Sequence, residues 1–225
     1  MRFISVAGLL VAAFTVAACQ TNDLKEPPVP LGDFALGVNV AITDKVQVPS
    51  VSRKVSIDVL EKTLTDAVGA RFDRYSGSKL INIGLYVDGY LLAPPGIPIV
   101  LSPSSVMIVT LNFFDDATGV KLNPEGTQIT VIEKGSADTF IGSGLTQTKE
   151  KQLQTLSYNV AKRIEGILLQ NPEWIGMTQA QAKAAIAQQN GTAPNAAVAP
   201  STAPLAAPAL TGPDLSGPAL SGQPA

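Results

Sequence analysis

The chain has 225 residues, with 16 basic and 18 acidic side chains, no histidine and a single cysteine. Its formal net charge of −2 gives no basic surplus that would favour nucleic acid. The lack of histidine removes the commonest general base and the commonest zinc ligand, and one cysteine cannot form an internal disulfide. The composition therefore predicts a protein that is not an enzyme, holds no cofactor or metal and binds no nucleic acid.

The N-terminal segment has the layout of an export signal. Arg2 precedes an almost continuously apolar run over residues 3–14, which is too short to span a bilayer. Small residues then lead to the only cysteine, in the order Val16-Ala17-Ala18-Cys19. This stretch resembles the bacterial lipoprotein box, which implies cleavage between Ala18 and Cys19 and lipidation of Cys19. An ordinary secretory signal that leaves a free thiol is the alternative.

The same resemblance implies a location. Gln20, not an aspartate, follows the cysteine, and in lipoproteins this implies sorting to the outer membrane. We expect the acyl chains to anchor the protein at the periplasmic face, since two or three chains anchor stably where one is marginal. Residues 1–18 are thus expected to be signal peptide. The polar, proline-rich residues 19–32 are expected to be the lipidated N-terminus and a short tether.

Residues 33–177 carry the periodic patterns of one folded domain. Apolar residues at every second position from Phe34 to Ile42 predict a strand with one buried face formed by these residues. Apolar steps of three and four over residues 56–75 predict an amphipathic helix, and alternation over residues 81–87 predicts a second strand. The domain therefore begins with a β-α-β sequence of elements.

The pattern continues with two more strands and another helix. Residues 106–114 are apolar on both faces and predict a central strand covered at least partly on both sides, and residues 128–133 predict a shorter strand. A long apolar stripe over residues 146–170 predicts the second long helix, and residues 178–190 predict a short alanine-rich one. The proline-, alanine- and glycine-rich residues 191–225 predict a disordered tail.

The order β-α-β-β-β-α predicts an α+β fold of two layers, a mostly antiparallel four-stranded sheet with two long helices. With the turn Asp116-Ala117-Thr118-Gly119 after the third strand, this order resembles a periplasmic domain found in several envelope lipoproteins. They are the curli-secretion lipoprotein, the lipoprotein activators of penicillin-binding proteins and the N-terminal domain of the Tol translocation protein. The resemblance covers residues 34–170 and implies a domain that acts by binding other proteins. None of their partner-binding residues can be matched here residue by residue.

Two places are candidates for binding a partner. Residues 91–103 contain four prolines and many aliphatic groups, so an exposed segment would be an apolar contact patch. The alternative is a loop that folds back over the end of the sheet. Trp174 could be a protein-binding anchor or could pack the end of the second helix onto the sheet. The candidate residues are Leu91, Leu92, Ile97, Ile99, Val100, Leu101 and Trp174.

Adjacent acids at the end of the third strand suggest two further readings. Asp115 and Asp116, with Glu125 beyond, could hold calcium, but they lack the spaced acidic loop of an EF-hand. A β-turn favours aspartate for backbone reasons alone, and the sequence favours that reading.

These observations together predict a lipid-anchored, non-enzymatic adaptor that binds another protein of the cell envelope. The alternative is a homo-oligomeric component or accessory of a secretion or envelope-spanning machine. A wall-modifying enzyme that works with carboxylates alone is less favoured, because the sequence shows no pair of carboxylates placed to face one cleft.

Overall fold

The structure is a computed structural model that describes residues 23–94, 104–133 and 147–192. Its strands are β1 (Phe34–Ile42), β2 (Lys79–Leu91), β3 (Val106–Asp115) and β4 (Thr127–Ile132). Its helices are α1 (Ile57–Phe72), α2 (Lys149–Gln170) and α3 (Gln179–Thr192). Short 3₁₀ turns lie at Asp23–Lys25 and Pro172–Ile175. In the ranges described, no helix combines the length and apolar character that a bilayer crossing requires.

The four strands form one sheet in the order β1-β2-β3-β4. β1 and β2 are parallel, because α1 carries the chain back between them, whereas β2–β3 and β3–β4 are antiparallel. Both long helices pack on the same side of the sheet, α1 against β1 and α2 against β3 and β4. The predicted α+β class, with two layers and a mostly antiparallel sheet, is confirmed.

The core lies between the helices and the inner face of the sheet. The apolar stripe of α1 places Leu60, Leu64 and Val68 in full burial, and the inward residues of β2 and β3 meet them there. Outward residues of β3 such as Ile108 and Phe114 are half-buried, which accounts for the two-sided apolar pattern of that strand.

The structure corrects the predicted inner face of β1. Leu36 aligns with the inward Ile81, but the register then shifts between Leu36 and Asn39. Beyond this bulge the remaining apolar residues point outward, and Val38, Val40 and Ile42 are 58%, 43% and 40% exposed. One extra residue in a strand moves every following side chain to the other face, so the sequence alternation continues while the buried face does not.

Residues 23–32, which the sequence places in the tether, pack against the domain. The Val29 carbonyl accepts a hydrogen bond from the Tyr75 hydroxyl at 2.8 Å, and the Arg74 guanidinium donates to the Glu26 carbonyl. Leu31 is buried in the core, and the Asp33 N–H donates to the Ile175 carbonyl at 3.2 Å. The signal peptide, Cys19 and the tail from residue 193 onward lie outside the described residues.

Candidate functional site

The side of the sheet that faces away from the helices carries an unusual number of exposed apolar groups. We call it the open sheet face. Its most exposed apolar side chains come from both edge strands and from the start of β2, and they are Val38, Val40, Ile42, Leu80 and Ile132. Exposed apolar side chains that lie close together mark places of contact.

The apolar groups concentrate on β1. Val38, Val40 and Ile42, here called the β1 patch, lie on one face at alternate positions of the same strand. Val40 aligns with Gly84 of β2, where the lack of a side chain leaves a shallow depression beside the patch. The patch is therefore apolar and borders a position without a side chain, so a partner side chain can pack beside it.

A specific hydrogen-bond relay holds the β1 bulge. The Val38 N–H donates to Asn82 Oδ1 at 2.6 Å, and Asn82 Nδ2 donates to Asp116 Oδ1 at 2.9 Å. A Cβ atom on Gly37 would lie 2.2 Å from Asn82 Oδ1, so a side chain at this position would displace the Asn82 amide from the relay. Asn82 thus takes the place of a ladder partner at the point where β1 changes register.

The two edges of the sheet differ. At the β4 edge, the Asn159 side-chain amide donates to the Ile132 carbonyl at 3.2 Å, and α2 packs alongside. At the β1 edge, no backbone hydrogen bond among the described residues reaches the side of the strand opposite β2 beyond Phe34. β1 also contains no charged residue and no proline, two of the devices that protect an edge strand from pairing, although the bulge between Leu36 and Asn39 is a third.

A polar row crosses the middle of the open sheet face. Asp88 on β2 accepts hydrogen bonds from the Thr110 hydroxyl at 2.7 Å and from Gln128 Nε2 at 3.2 Å. These three side chains link β2, β3 and β4. We call the part of the face along β1 the β1 half, and the part towards β4 carries this network together with Ile132. A partner that covers only the β1 half does not have to remove water from this hydrogen-bond network.

The acids at the end of β3 serve the local fold. Asp115 Oδ1 accepts from the Thr118 N–H at 3.1 Å and from its hydroxyl at 3.0 Å, which is the turn reading made from sequence. Asp116 is engaged by Asn82. No group of three acids, cysteines or histidines placed to bind a metal occurs in the parts of the chain that the structure describes.

A cluster of charges lies on the opposite side of the domain, where the N-terminal turn meets α1 and α2. Asp23 accepts from Arg71 Nη2 at 2.7 Å, from the Tyr158 hydroxyl at 2.5 Å and pairs with Lys162 Nζ at 3.0 Å. We call this group the Asp23 clamp. Arg71 also pairs with Glu165 at 3.0 Å, and these two side chains are only 3% and 2% exposed.

The clamp shifts the ionisation of its members. Burial alone would raise the pKa of Asp23, but hydrogen bonds from Arg71 and Tyr158 and the charges of Arg71 and Lys162 outweigh it and lower the pKa to about 2. Burial and the neighbouring Asp23 carboxylate raise the pKa of Tyr158 to about 12. At neutral pH the clamp therefore consists of an ionised carboxylate, two cations and a neutral phenol.

The residues proposed from sequence fall in three places. Leu91 is half-buried at the end of β2, and Leu92 is fully buried in the core, so Leu92 offers no surface to a partner. Trp174 packs on Phe113 with ring centroids 5.4 Å apart, at the junction between α2 and the sheet. The others lie outside the described residues, and they are Ala18, Cys19, Ile97, Ile99, Val100 and Leu101.

Sequence reasoning missed the β1 patch because it read the alternation as one continuous face. The indication was present, since an isolated glycine inside a strand pattern is typical of a bulge, and Gly37 sits in the middle of this one. The Asp23 clamp was missed because Asp23 is 48 residues from Arg71 and 135 residues from Tyr158 along the chain, and no local pattern joins them.

Comparisons with known proteins give a general likeness of fold. No family model matches the chain, and neither does any curated protein. Among solved structures, PelC from Paraburkholderia phytofirmans, solved as a dodecamer, aligns with 11% identity over 60% of this chain and 89% of that one, at a TM-score of 0.31. A protein from Caulobacter crescentus described as a lipoprotein aligns with 14% identity over 60% of this chain and 92% of its own, at 0.30.

A third match is a protein from Xanthomonas campestris, with 10% identity over 65% of this chain and 90% of that one, at a TM-score of 0.35. At scores and identities this low, the likeness does not carry an activity, a partner or an oligomeric state from one protein to another.

Proposed function

We propose that this protein is a lipid-anchored adaptor of the bacterial cell envelope that binds another protein through the β1 half of its open sheet face. The observation that carries the proposal is the β1 patch, three exposed apolar side chains on an edge strand without charge or proline. A strand of this kind costs solubility, and natural proteins protect such edges unless the edge is used.

The geometry favours one mode of binding. An extended partner segment can add to the free edge of β1 through main-chain hydrogen bonds, while its alternate side chains meet Val40 and Ile42. The depression at Gly84 lies beside that row and leaves room for a larger partner side chain. We therefore expect the partner to supply an extended segment with apolar residues at every second position.

The anchor and the location follow from the N-terminal sequence. The order Val16-Ala17-Ala18-Cys19 supports lipidation of Cys19, and Gln20 supports transport to the periplasmic face of the outer membrane. Restriction to a membrane surface raises the effective concentration of an adaptor for a partner in the same layer. Non-enzymatic action is supported by the use of Asp115 and Asp116 within the turn and the bulge relay.

A homo-oligomer is the second candidate, and the same strand favours it. Because β1 carries no charge, two copies can pair their edges without like-charge repulsion. In an antiparallel pairing centred on Val40, each Val40 opposes its own copy and each Val38 opposes Ile42. This register keeps all the outward residues on one face.

Capture from intact cells tests the adaptor. The lipidated protein is crosslinked in the cells and purified, and proteins recovered with wild type are compared with those recovered with Val40→Lys. Thr130→Lys, also on an exposed position of the sheet but in β4, is the matched control. We expect a specific envelope protein with wild type and Thr130→Lys, and its loss with Val40→Lys. Equal recovery with all three would overturn the assignment of the surface.

Cysteine crosslinking separates the two candidates. A disulfide spans the Cα distance of opposed residues in an antiparallel pair, and a lipidated Cys19 leaves no other thiol in the mature chain. If copies pair as described, Val40→Cys gives a covalent dimer under mild oxidation and Val38→Cys does not. A monomer in both variants, together with specific capture, favours the adaptor.

A further inference from the structure

We propose that the Asp23 clamp sets the orientation of the domain on the membrane, so that the α1–α2 side faces the lipid headgroups and the open sheet face points away. The inference rests on the proposed lipid anchor at Cys19. It adds to that function a second interaction surface, and the partner of that surface is the bilayer itself.

The chain between the anchor and the clamp is short. Only four peptide units separate Cys19 from Asp23, and a fully extended chain of that length reaches no more than ~14 Å. The acyl chains of a lipidated Cys19 insert at the membrane surface. Whatever holds Asp23 must therefore lie within about one helix diameter of the headgroups.

Several contacts hold Asp23 in place on the domain. Asp23 is bound by three side chains from two helices, and the pairing with Arg71 continues to the buried Glu165. Residues after Asp23 stay attached, through the Val29 carbonyl and the buried Leu31. The chain is thus fixed to the domain from its twenty-third residue, and the four peptide units before it are too few to let the domain turn over.

The Asp23 clamp lies on the outer side of the helix layer. A groove beside the clamp is lined by Leu24 of the N-terminal turn, by α1 residues such as Thr63 and by Tyr158 of α2. This groove opens on the outer side of the helix layer, because the apolar stripe of α1 points the other way and packs in the core. In a two-layer domain, the side opposite the helices is the open sheet face.

The surface around the clamp suits headgroups better than acyl chains. Lys62 and Asp66 are exposed on α1 and form an ion pair at 2.9 Å, and Lys162 is partly exposed on α2. Lys162 pairs with Asp23, so this surface presents paired charges, which stay in the polar layer of the membrane and do not enter the acyl chains. We therefore expect the domain to rest on the headgroup layer without insertion.

The orientation keeps the β1 patch away from the lipid. The β1 patch projects into the periplasm, where a partner can reach its edge, and the lipid cannot cover it. A flexible tether would let the domain rotate until the β1 patch packs against the membrane surface, and the clamp prevents this rotation.

Quenching of site-specific labels tests the proposal. The full-length lipidated protein carries one introduced cysteine, Thr63→Cys beside the clamp or Thr130→Cys on the open sheet face, labelled with a fluorophore. It is reconstituted into phosphatidylethanolamine–phosphatidylglycerol vesicles that contain a lipid spin-labelled on its headgroup. We expect quenching several-fold stronger at position 63 than at position 130. Equal quenching would overturn the orientation.

Two changes test the role of the clamp itself. Asp23→Ala should reduce the difference between the two labels, while Asp66→Ala, an exposed acid on the same side that does not touch Arg71, should preserve it. A flexible Gly-Ser insertion after Gln20 leaves the clamp intact and lengthens the tether, so it should also reduce the difference. If the difference survives both Asp23→Ala and the insertion, the clamp does not set the orientation.

Flotation of the vesicles separates this proposal from the one on which it rests. Protein that stays at the bottom of the gradient shows that Cys19 carries no anchor, which overturns the lipoprotein assignment. Protein that floats with both labels equally quenched retains the anchor and overturns the orientation alone.

Discussion

The two faces of this domain are built on different principles. The helix side contains a buried ion cluster in which Arg71 joins Asp23 and Glu165, and its members hold the N-terminal segment, α1 and α2 together. The open sheet face has exposed valines and isoleucines that make no comparable contribution to the fold. Residues that a fold does not need for stability, and that cost it solubility, are the ones to examine for function.

Arg71→Met should produce the largest loss of stability. The change leaves Glu165 as a buried carboxylate without its cation and removes one of the three partners of Asp23, and breaking a buried pair in this way costs about 3–5 kcal/mol. Urea unfolding of wild type and the variant measures the loss of stability. Lys62→Met removes the exposed Lys62–Asp66 pair and should cost less than about 1 kcal/mol. Similar losses for the two variants would mean that the helix side is not organised around its buried charge.

Gly37→Val changes β1 and not the helix side, and it should cause an intermediate loss of stability. The added Cβ would meet Asn82 Oδ1, so the bulge relay must open at a cost of about 1–3 kcal/mol. Gly166→Ala is the control, because nothing lies within 4 Å of a Cβ there and the helix should gain up to about 1 kcal/mol. Chemical denaturation of both variants decides it. A neutral Gly37→Val would show that the register of β1 is not fixed by this contact.

The pH dependence of stability should report the Asp23 clamp. Because its pKa falls from 3.8 to about 2 on folding, the carboxylate contributes stability that is complete above about pH 4 and is lost as the pH falls towards 2. Discounted for its partial exposure, the contribution is about 1 kcal/mol. Comparison of wild type and Asp23→Asn by thermal unfolding between these pH values measures it. Parallel curves would show that the clamp does not couple to folding.

The sequence was sufficient for the elements and their order because periodicity is a local property. Apolar spacing predicted α1, α2 and all four strands, although β2 runs on to Leu91 and the last helix to Thr192. It was insufficient for the direction of Val38, Val40 and Ile42, since a bulge inverts the faces without changing the alternation. It was also insufficient for the packing of residues 23–32, which depends on charges brought together only by the fold.

Val40→Thr should have the smallest effect on stability and the sharpest effect on function. Val40 lies on β1, and Leu85 lies on the adjacent strand β2, one position after the residue that aligns with Val40. Val40 points outward, whereas Leu85 points inward. Val40→Thr keeps a β-branched side chain and should change the free energy of unfolding by less than about 0.5 kcal/mol, whereas Leu85→Ala should cost about 2–5 kcal/mol. Partner capture should fall with Val40→Thr at unchanged stability. If instead stability falls as well, Val40 belongs to the fold, and the distinction between a structural and a contact face does not hold at β1.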